Sequence, residues 1–208
     1  MNGLTERWHR QIGARLEAGY GANAREMAVE LAMHFRRGRD VPRTVQYLQY
    51  AGEQALRRSA HQEARVHLTA GLAQLQQLPD SPERVQQELA LQVPLGAVLR
   101  AMQGYGSPEV ERAYLRACEL CQQLGEPRQL SPVLYSLYEL YEYRGAFERS
   151  LELEEQLLHV ASRHHDPVLL LGAHDALACT AFHLGTFAHV LEHAGQGLSF
   201  TIRSSTVL

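Results

Sequence analysis

The chain has 208 residues, 45% of them hydrophobic and 21% charged, enough to bury a core as one large domain or two small ones. Arginine supplies all 20 formal positive charges, so chemistry that needs an ε-amine, such as a Walker phosphate loop, a kinase-type lysine or a Schiff base, is excluded. The net charge of −3 conceals a gradient, with 11 arginines against 7 acidic residues through residue 65 and 9 against 16 thereafter, and neither part is basic enough to imply nucleic acid.

Apolar residues recur at helical spacing from the start of the chain, and the pattern predicts helices over about 4–18, 22–37, 42–58, 61–78, 82–102, 108–124, 128–144, 146–164, 167–184 and 186–197. Val45, Leu48, Ala51 and Ala55 mark the third, and Ala64, Leu68, Leu72 and Leu75 the fourth. Pro94 is expected to kink the fifth. Polar caps followed by proline stand at Ser81-Pro82, Ser107-Pro108, Ser131-Pro132 and Asp166-Pro167, while Gly38, Gly125, Gly145 and Gly185 follow helix ends. No alternating strand is visible before residue 199. The last ten residues, SFTIRSSTVL, lose the helical period and read as an irregular tail, 199–208, of a frayed or truncated end.

Turns at Gly19, Ser59, Gly104, Gly145 and Gly185 recur at intervals of 40, 45, 41 and 40 residues. A two-helix unit of that size cannot bury its apolar face alone, so residues 1–198 are expected to form one all-α domain of about five antiparallel helix pairs, stacked in a right-handed superhelix. The tetratricopeptide pattern is legible in Leu48-x-x-Ala51-Gly52-x-x-Ala55 with Ala64, Leu68 and Gly71. It recurs in Leu134-x-x-Leu137-Tyr138-x-x-Tyr141 with Gly145, Ser150 and Leu157, and in Leu177-Ala178-x-x-Ala181 with Gly185 and Gly197. Small residues at these places predict close helix crossings at Gly52 and Ala64.

The stretches AVELAMHFRRGRDVPRTVQYLQYAGEQALRRSAHQEARVHLTAGLAQLQQLPDSPER and QELALQVPLGAVLRAMQGYGSPEVERAYLRACELCQQLGE resemble the helical-repeat region of large bacterial signalling ATPases, the signal-transduction ATPases with numerous domains. Members of that group often carry a nucleotide cyclase or a DNA-binding output domain. The resemblance covers about residues 6–198. It implies a sensor and protein-binding arm whose nucleotide chemistry lies upstream, in a module outside this chain, and the absence of lysine agrees with that division.

Several constellations invite chemical readings. His189-Val190-Leu191-Glu192-His193 matches H-x-x-E-H, which places two imidazoles on one helix face and could hold zinc with Glu192 as base and His174 or His183 as a third ligand. Surface histidines on a repeat helix account for it as well. Cys118 and Cys121 lie three apart on one helix, but the second falls on the apolar stripe, so packing thiols are expected, as for Cys179. Gly104-Tyr105-Gly106-Ser107-Pro108 lacks the strand and third glycine of a phosphate loop and reads as a capped helix start.

Two groups of residues remain as candidates for a partner-binding surface. Arg36, Arg37 and Arg39 belong to the densest basic cluster, with Arg43, Arg57 and Arg58, interleaved with Asp40 and Glu53. Tyr105, Tyr114, Tyr135, Tyr138 and Tyr141, with Tyr143, concentrate large contact area with polar tips in one segment. The alternative is a core stripe whose hydroxyls reach solvent.

The sequence therefore predicts a non-catalytic interaction module without cofactor, whose partner is a protein or peptide and, by the resemblance, an ATPase module. A small-ligand sensor with an enclosed pocket and a zinc hydrolase at His189, Glu192 and His193 are the alternatives. Three cysteines, no signal-type opening segment and no window of ~18 uninterrupted apolar residues make a cytoplasmic chain without membrane span the expectation. Ala194, Leu198, Phe200, Ile202, Val207 and Leu208 are expected to leave an uncapped apolar end prone to weak self-association.

Overall fold

The computed structural model describes residues 2–125 and 127–205, and among them every regular element is helical. The chain divides into two compact units, residues 1–104 and 105–208. In the first unit, α1 (Asn2–Tyr20), a 3-10 segment (Gly21–Met27), α2 (Ala28–Arg37), α3 (Val41–Arg57), α4 (His61–Leu75) and α5 (Pro82–Gln103) follow in order. The second contains α6 (Pro108–Leu124), α7 (Pro127–Tyr143), α8 (Phe147–His164), α9 (Pro167–His183) and α10 (Phe187–Ser205). Within each unit, consecutive helices pack on one another, the arrangement that a repeat of helix pairs requires.

Local chemistry sets the helix starts. Asp40, Ser81, Ser107 and Asp166 each accept a backbone N–H from the first turn of the helix that follows, and a proline occupies N1 or N2 in all four. Ser131-Pro132 departs from the expected pattern: α7 begins at Pro127, and Ser131 is buried inside it. A proline early in a helix forfeits one backbone hydrogen bond, a loss that packing of the following stripe, Leu134, Leu137 and Tyr138, outweighs. α5 likewise continues through Pro94.

Chain reversals use the left-handed backbone region at Gly104, Gly125, Gly145 and Gly185. Gly38 does not: its φ is −80° and Arg39 takes the positive φ instead. What Gly38 supplies is proximity, because a Cβ there would lie 2.9 Å from the Arg10 backbone nitrogen. Gly52 has the same role between α3 and α4, where an added Cβ would stand 2.7 Å from the Leu68 side chain, with Ala64 fully buried nearby in the sequence of α4.

The core of the first unit gathers Ala28, Leu31, Phe35, Tyr47, Leu48 and Ala51, with Phe35 and Tyr47 stacked at 5.6 Å. In the second, Leu134, Leu157 and Ala173 join α7, α8 and α9, while Ala113, Ala117 and Cys121 face inward from α6. The three cysteines form no disulfide; Cys121 is buried, and burial raises the pKa of the half-buried Cys118 and Cys179 thiols, as expected of packing residues rather than reactive ones. α10 continues to Ser205, past the expected end near 197. No glycine or proline follows Gly197, and the helix-propensity deficit of Ser, Thr and Ile is only ~0.5 kcal/mol each, too little to stop a helix that is already formed. Val207 and Leu208 lie outside the described residues. Among those residues, no helix is long and apolar enough to cross a membrane.

Candidate partner-binding surfaces

The first unit carries an open groove of about 570 Å³. One wall is α2, through Val29, Ala32, Met33, Arg36 and Arg37; the other is α4, through Val66, His67 and Ala70; Leu48 of α3 forms the floor. The sequence builds it by residue size. α2 turns Ala28, Leu31 and Phe35 toward the core and leaves Val29, Met33 and Arg36 as a second stripe at helical spacing. The small Ala32 and Ala70 keep the space between the walls open, and Val29 and Val66 remain 49% and 55% exposed at its edge.

Arg36 and Arg37 are exposed at one end of this groove, and among the described residues neither joins an ion pair. Arg39 lies apart: its Nε meets Glu6 Oε1 at 2.9 Å and ties the start of α3 to α1. The structure thus splits the basic cluster, with Arg36 and Arg37 bordering an apolar trough and Arg39 spent on a local tie. His67, also at the groove, stands 3.7 Å from Glu63.

The tyrosines of the second unit are placed differently from the surface reading. Tyr114, Tyr138 and Tyr141 are buried, because their spacing puts them on the stripes that α6 and α7 turn inward. Tyr135 is half-buried and meets Tyr138 edge-on at 4.8 Å. Tyr105 is half-buried and stacks on Tyr143 at 4.2 Å, leaving Tyr143 as the exposed member at 70%.

The polar tip of Tyr141 is satisfied from within. The Tyr141 hydroxyl donates to Glu111 Oε1 at 2.6 Å, and Arg144 donates to Glu111 Oε2 at 2.6 Å. The Arg144 guanidinium also reaches the carbonyls of Tyr105, Gly106 and Ser107, so it closes the loop that leads into α6. Arg149 completes the cluster by lying over the Tyr141 ring at 5.1 Å. The hydrogen bond from Tyr141 and then that from Arg144 hold the Glu111 carboxyl below its ordinary pKa, while burial and the bond to Glu111 raise that of Tyr141. In this structure Tyr114, Tyr138 and Tyr141 lie on a core stripe.

His193 does not gather with His189 and Glu192 around a common point. Its Nδ1 lies 3.2 Å from His174 Nδ1 on α9, and among the described residues no group of three or more His, Cys, Asp or Glu is arranged to hold a metal. Phe200 stacks on His174 with the ring centroids 5.9 Å apart. A different ionisable group stands out in the same unit. Glu154 is fully buried, accepts from Thr180 Oγ1 at 2.5 Å and lies 3.1 Å from Ser150 Oγ, and leaves Oε2 without a partner. Burial pushes its pKa up to about 7, against the opposing effect of the two hydroxyls. Its position on the stripe Ser150, Glu154, Leu157, Ala161 is the signal from which sequence reasoning could have found it.

At the end of the second unit, Phe182, Phe187, Leu191 and Leu198 are each at least 60% exposed. Phe182 and Phe187 meet edge-on at 6.2 Å beside the turn at Gly185.

No family model matches the chain, and no curated protein matches it. Solved structures do. The chain is similar to BtubC (BKLC) from P. vanneervenii, with a TM-score of 0.73 and 14% identity over 98% of this chain and 89% of that one. It is also similar to a putative kinesin light chain from Podosopora anserina with nearly identical TPR-like repeats, with a TM-score of 0.70 and 16% identity over 95% of each chain. Aspartyl phosphate phosphatase F from Bacillus subtilis aligns with a TM-score of 0.70 and 10% identity over 98% of this chain, which spans about half, 52%, of that protein. At such identities the likeness concerns architecture, and it establishes an all-α, tetratricopeptide-like helical-repeat fold.

Proposed function

We propose that this chain is a non-catalytic protein-interaction module and that the groove between α2 and α4 is where it takes hold of a partner. The observation that supports this reading most is the groove itself: a trough of about 570 Å³ with aliphatic walls, bordered at one end by two arginines that have no ion-pair partner among the described residues. Repeat proteins of this architecture bind through surfaces that stacked helices create. The occupant this site fits is a segment that presents two or three aliphatic or aromatic side chains at helical spacing, with carboxylates near Arg36 and Arg37. Apolar burial supplies the affinity and the guanidinium groups set the direction of the bound segment.

By resemblance to signalling ATPases, an ATPase module of the same system is a candidate for the partner, with a cytoplasmic setting. The alternative of a small-ligand sensor gains no enclosed lumen from the first unit's groove, which opens to solvent. The test is selection of peptides from a random displayed library on the full chain, followed by binding to the Arg36→Glu/Arg37→Glu and Met33→Asp variants. Selected peptides should carry apolar residues three or four apart beside Asp or Glu and should lose at least tenfold in affinity for either variant. Peptides that bind both variants as well as the native chain, or a library that yields no binder, would overturn this assignment of the groove.

A further inference from the structure

Where α1 meets α2, His9 and His34 face one another with their Nδ1 atoms 3.1 Å apart and their ring centroids 5.1 Å apart. We infer that this pair is a proton switch that clasps the first half of α1 to α2 and lets it go in mild acid. The contact requires one Nδ1 to carry hydrogen and the other to offer its lone pair, so the two neutral rings must be opposite tautomers. A first added proton sits on an outward-facing nitrogen and leaves the bond in place. The second makes both facing nitrogens donors and sets two cations about 3 Å apart, which no rotation of either ring at that distance can relieve.

Three features of the surroundings make the contact decisive. The first half of α1 has little apolar anchorage: Leu4 and Trp8 are 67% and 62% exposed, and among the described residues of the helix Gly13 alone is buried. His34 itself is 9% exposed, and burial first, then the neighbouring His9, lower its pKa. Thirdly, a cavity of about 350 Å³ lined by Thr5, Glu6, His9 and Arg37 gives water access to rings that separate.

The other charges around the pair do not cancel this effect. On α2, Glu30 favours the cation on His34 and Arg37 opposes it. On α1, Glu6 is engaged by Arg39. From α3, Arg43 lies over the Phe35 ring and is shared between Glu17 and Asp40, and Arg25 of the 3-10 segment is turned to Tyr50. The far end of α1 stays tied because Tyr47 donates to Glu17 at 2.8 Å, so the release concerns the residues around His9. A folded-state pKa below 6.5 places the effect on the acid side: the stabilising contact is complete above that value and is lost as the pH falls below it. Arg37 borders both this cavity and the α2–α4 groove, so the state of the pair reaches the groove's rim. The switch does not depend on what the groove holds.

The full chain labelled with nitrogen-15 provides the test. At neutral pH the imidazole correlations should show one ring of the pair as the Nδ1–H tautomer and the other as the Nε2–H tautomer. Amide exchange of residues 3–12, corrected for its intrinsic pH dependence and referred to α4, should rise about tenfold between about pH 7 and about pH 5. Trp8, the single tryptophan, should report the same step by fluorescence. The His9→Asn variant, at a half-exposed position, should remove the step, and His34→Asn should do so if that buried site tolerates the change. Two Nε2–H rings at neutral pH, or an unchanged exchange step in His9→Asn, would overturn the inference.

Discussion

Glu154 offers the sharpest test of how the second unit is held together. Its carboxyl is fully buried, has two hydroxyl neighbours and leaves Oε2 unpartnered, and its pKa rises from the ordinary 4.5 to about 7. Between these values the folded chain holds a proton that the unfolded chain releases, so stability falls as the pH rises through this window. Above about pH 7 the full penalty corresponds to about 3 kcal/mol, at 1.36 kcal/mol for each tenfold change in proton affinity. Glu154→Gln keeps the shape and the carbonyl acceptor toward Ser150 and Thr180 but puts an amide N–H pair where Oε2 stands, at a cost of about 1 kcal/mol for buried donors without partners. The variant should therefore be about 2 kcal/mol more stable than the native chain near pH 8 and no more stable near pH 5, where the native carboxyl is already neutral. Urea unfolding at both pH values, followed by far-ultraviolet circular dichroism, measures the two differences, and other titrating groups cancel between variant and native chain. A stability difference that is the same at both pH values, or a variant less stable at the higher one, would refute the argument that an ionised carboxylate is being held in an apolar core.

Two further outcomes follow from packing. Gly52→Ala should destabilise the first unit, although alanine ordinarily favours a helix by ~1 kcal/mol over glycine, because its Cβ would stand 2.7 Å from the fully buried Leu68; Ala64→Leu should cost ~1–3 kcal/mol by overpacking. Thermal unfolding reads both, and a stabilised Gly52→Ala chain would show that the α3–α4 crossing is looser than described. At the other end, the exposed Phe182, Phe187, Leu191 and Leu198 should drive concentration-dependent association that sedimentation velocity detects and that Phe187→Ser/Leu191→Glu abolishes. A native chain that stays monomeric at high concentration would dispose of that expectation.

Helix placement was largely legible because three independent signals coincide in the sequence. At Ser81, Ser107 and Asp166 a capping oxygen, a proline and the onset of an apolar stripe all mark one place, and the structure puts helix starts there. Asp40 has the same cap but follows two arginine-rich turns, and its proline stands one position later, so the signal is weaker although the bond to Arg43 N is formed. Gly38 shows the opposite difficulty. A glycine after a helix suggests a left-handed residue, whereas here the chain needs room against Arg10 and passes the strained backbone to Arg39. Local sequence carries the turn but not the neighbour 28 positions away that decides which residue makes it.

The same limit governs the site. Arg36 and Arg37 were identifiable as a basic pair from composition, but the groove they border is defined by what is small on α2 and α4 and by how far each helix stands from the other across Leu48. That separation is a property of three packed helices and has no signature in any one of them. Tyr114, Tyr138 and Tyr141 lie in the core for a related reason: aromatic rings at helical spacing suit a core and a binding face equally, and the difference lies in where the hydroxyl finds its partner. For Tyr141 that partner is Glu111, 30 residues earlier, itself neutralised by Arg144. Once an acid and an arginine converge on a tyrosine tip, the ring can be buried without an unmet hydrogen bond, and the residue is better used to fasten α7 to α6 than to meet another molecule. Arg36 and Arg37 have no such acid among the described residues, and an exposed guanidinium beside an apolar trough is left to find its carboxylate on a partner.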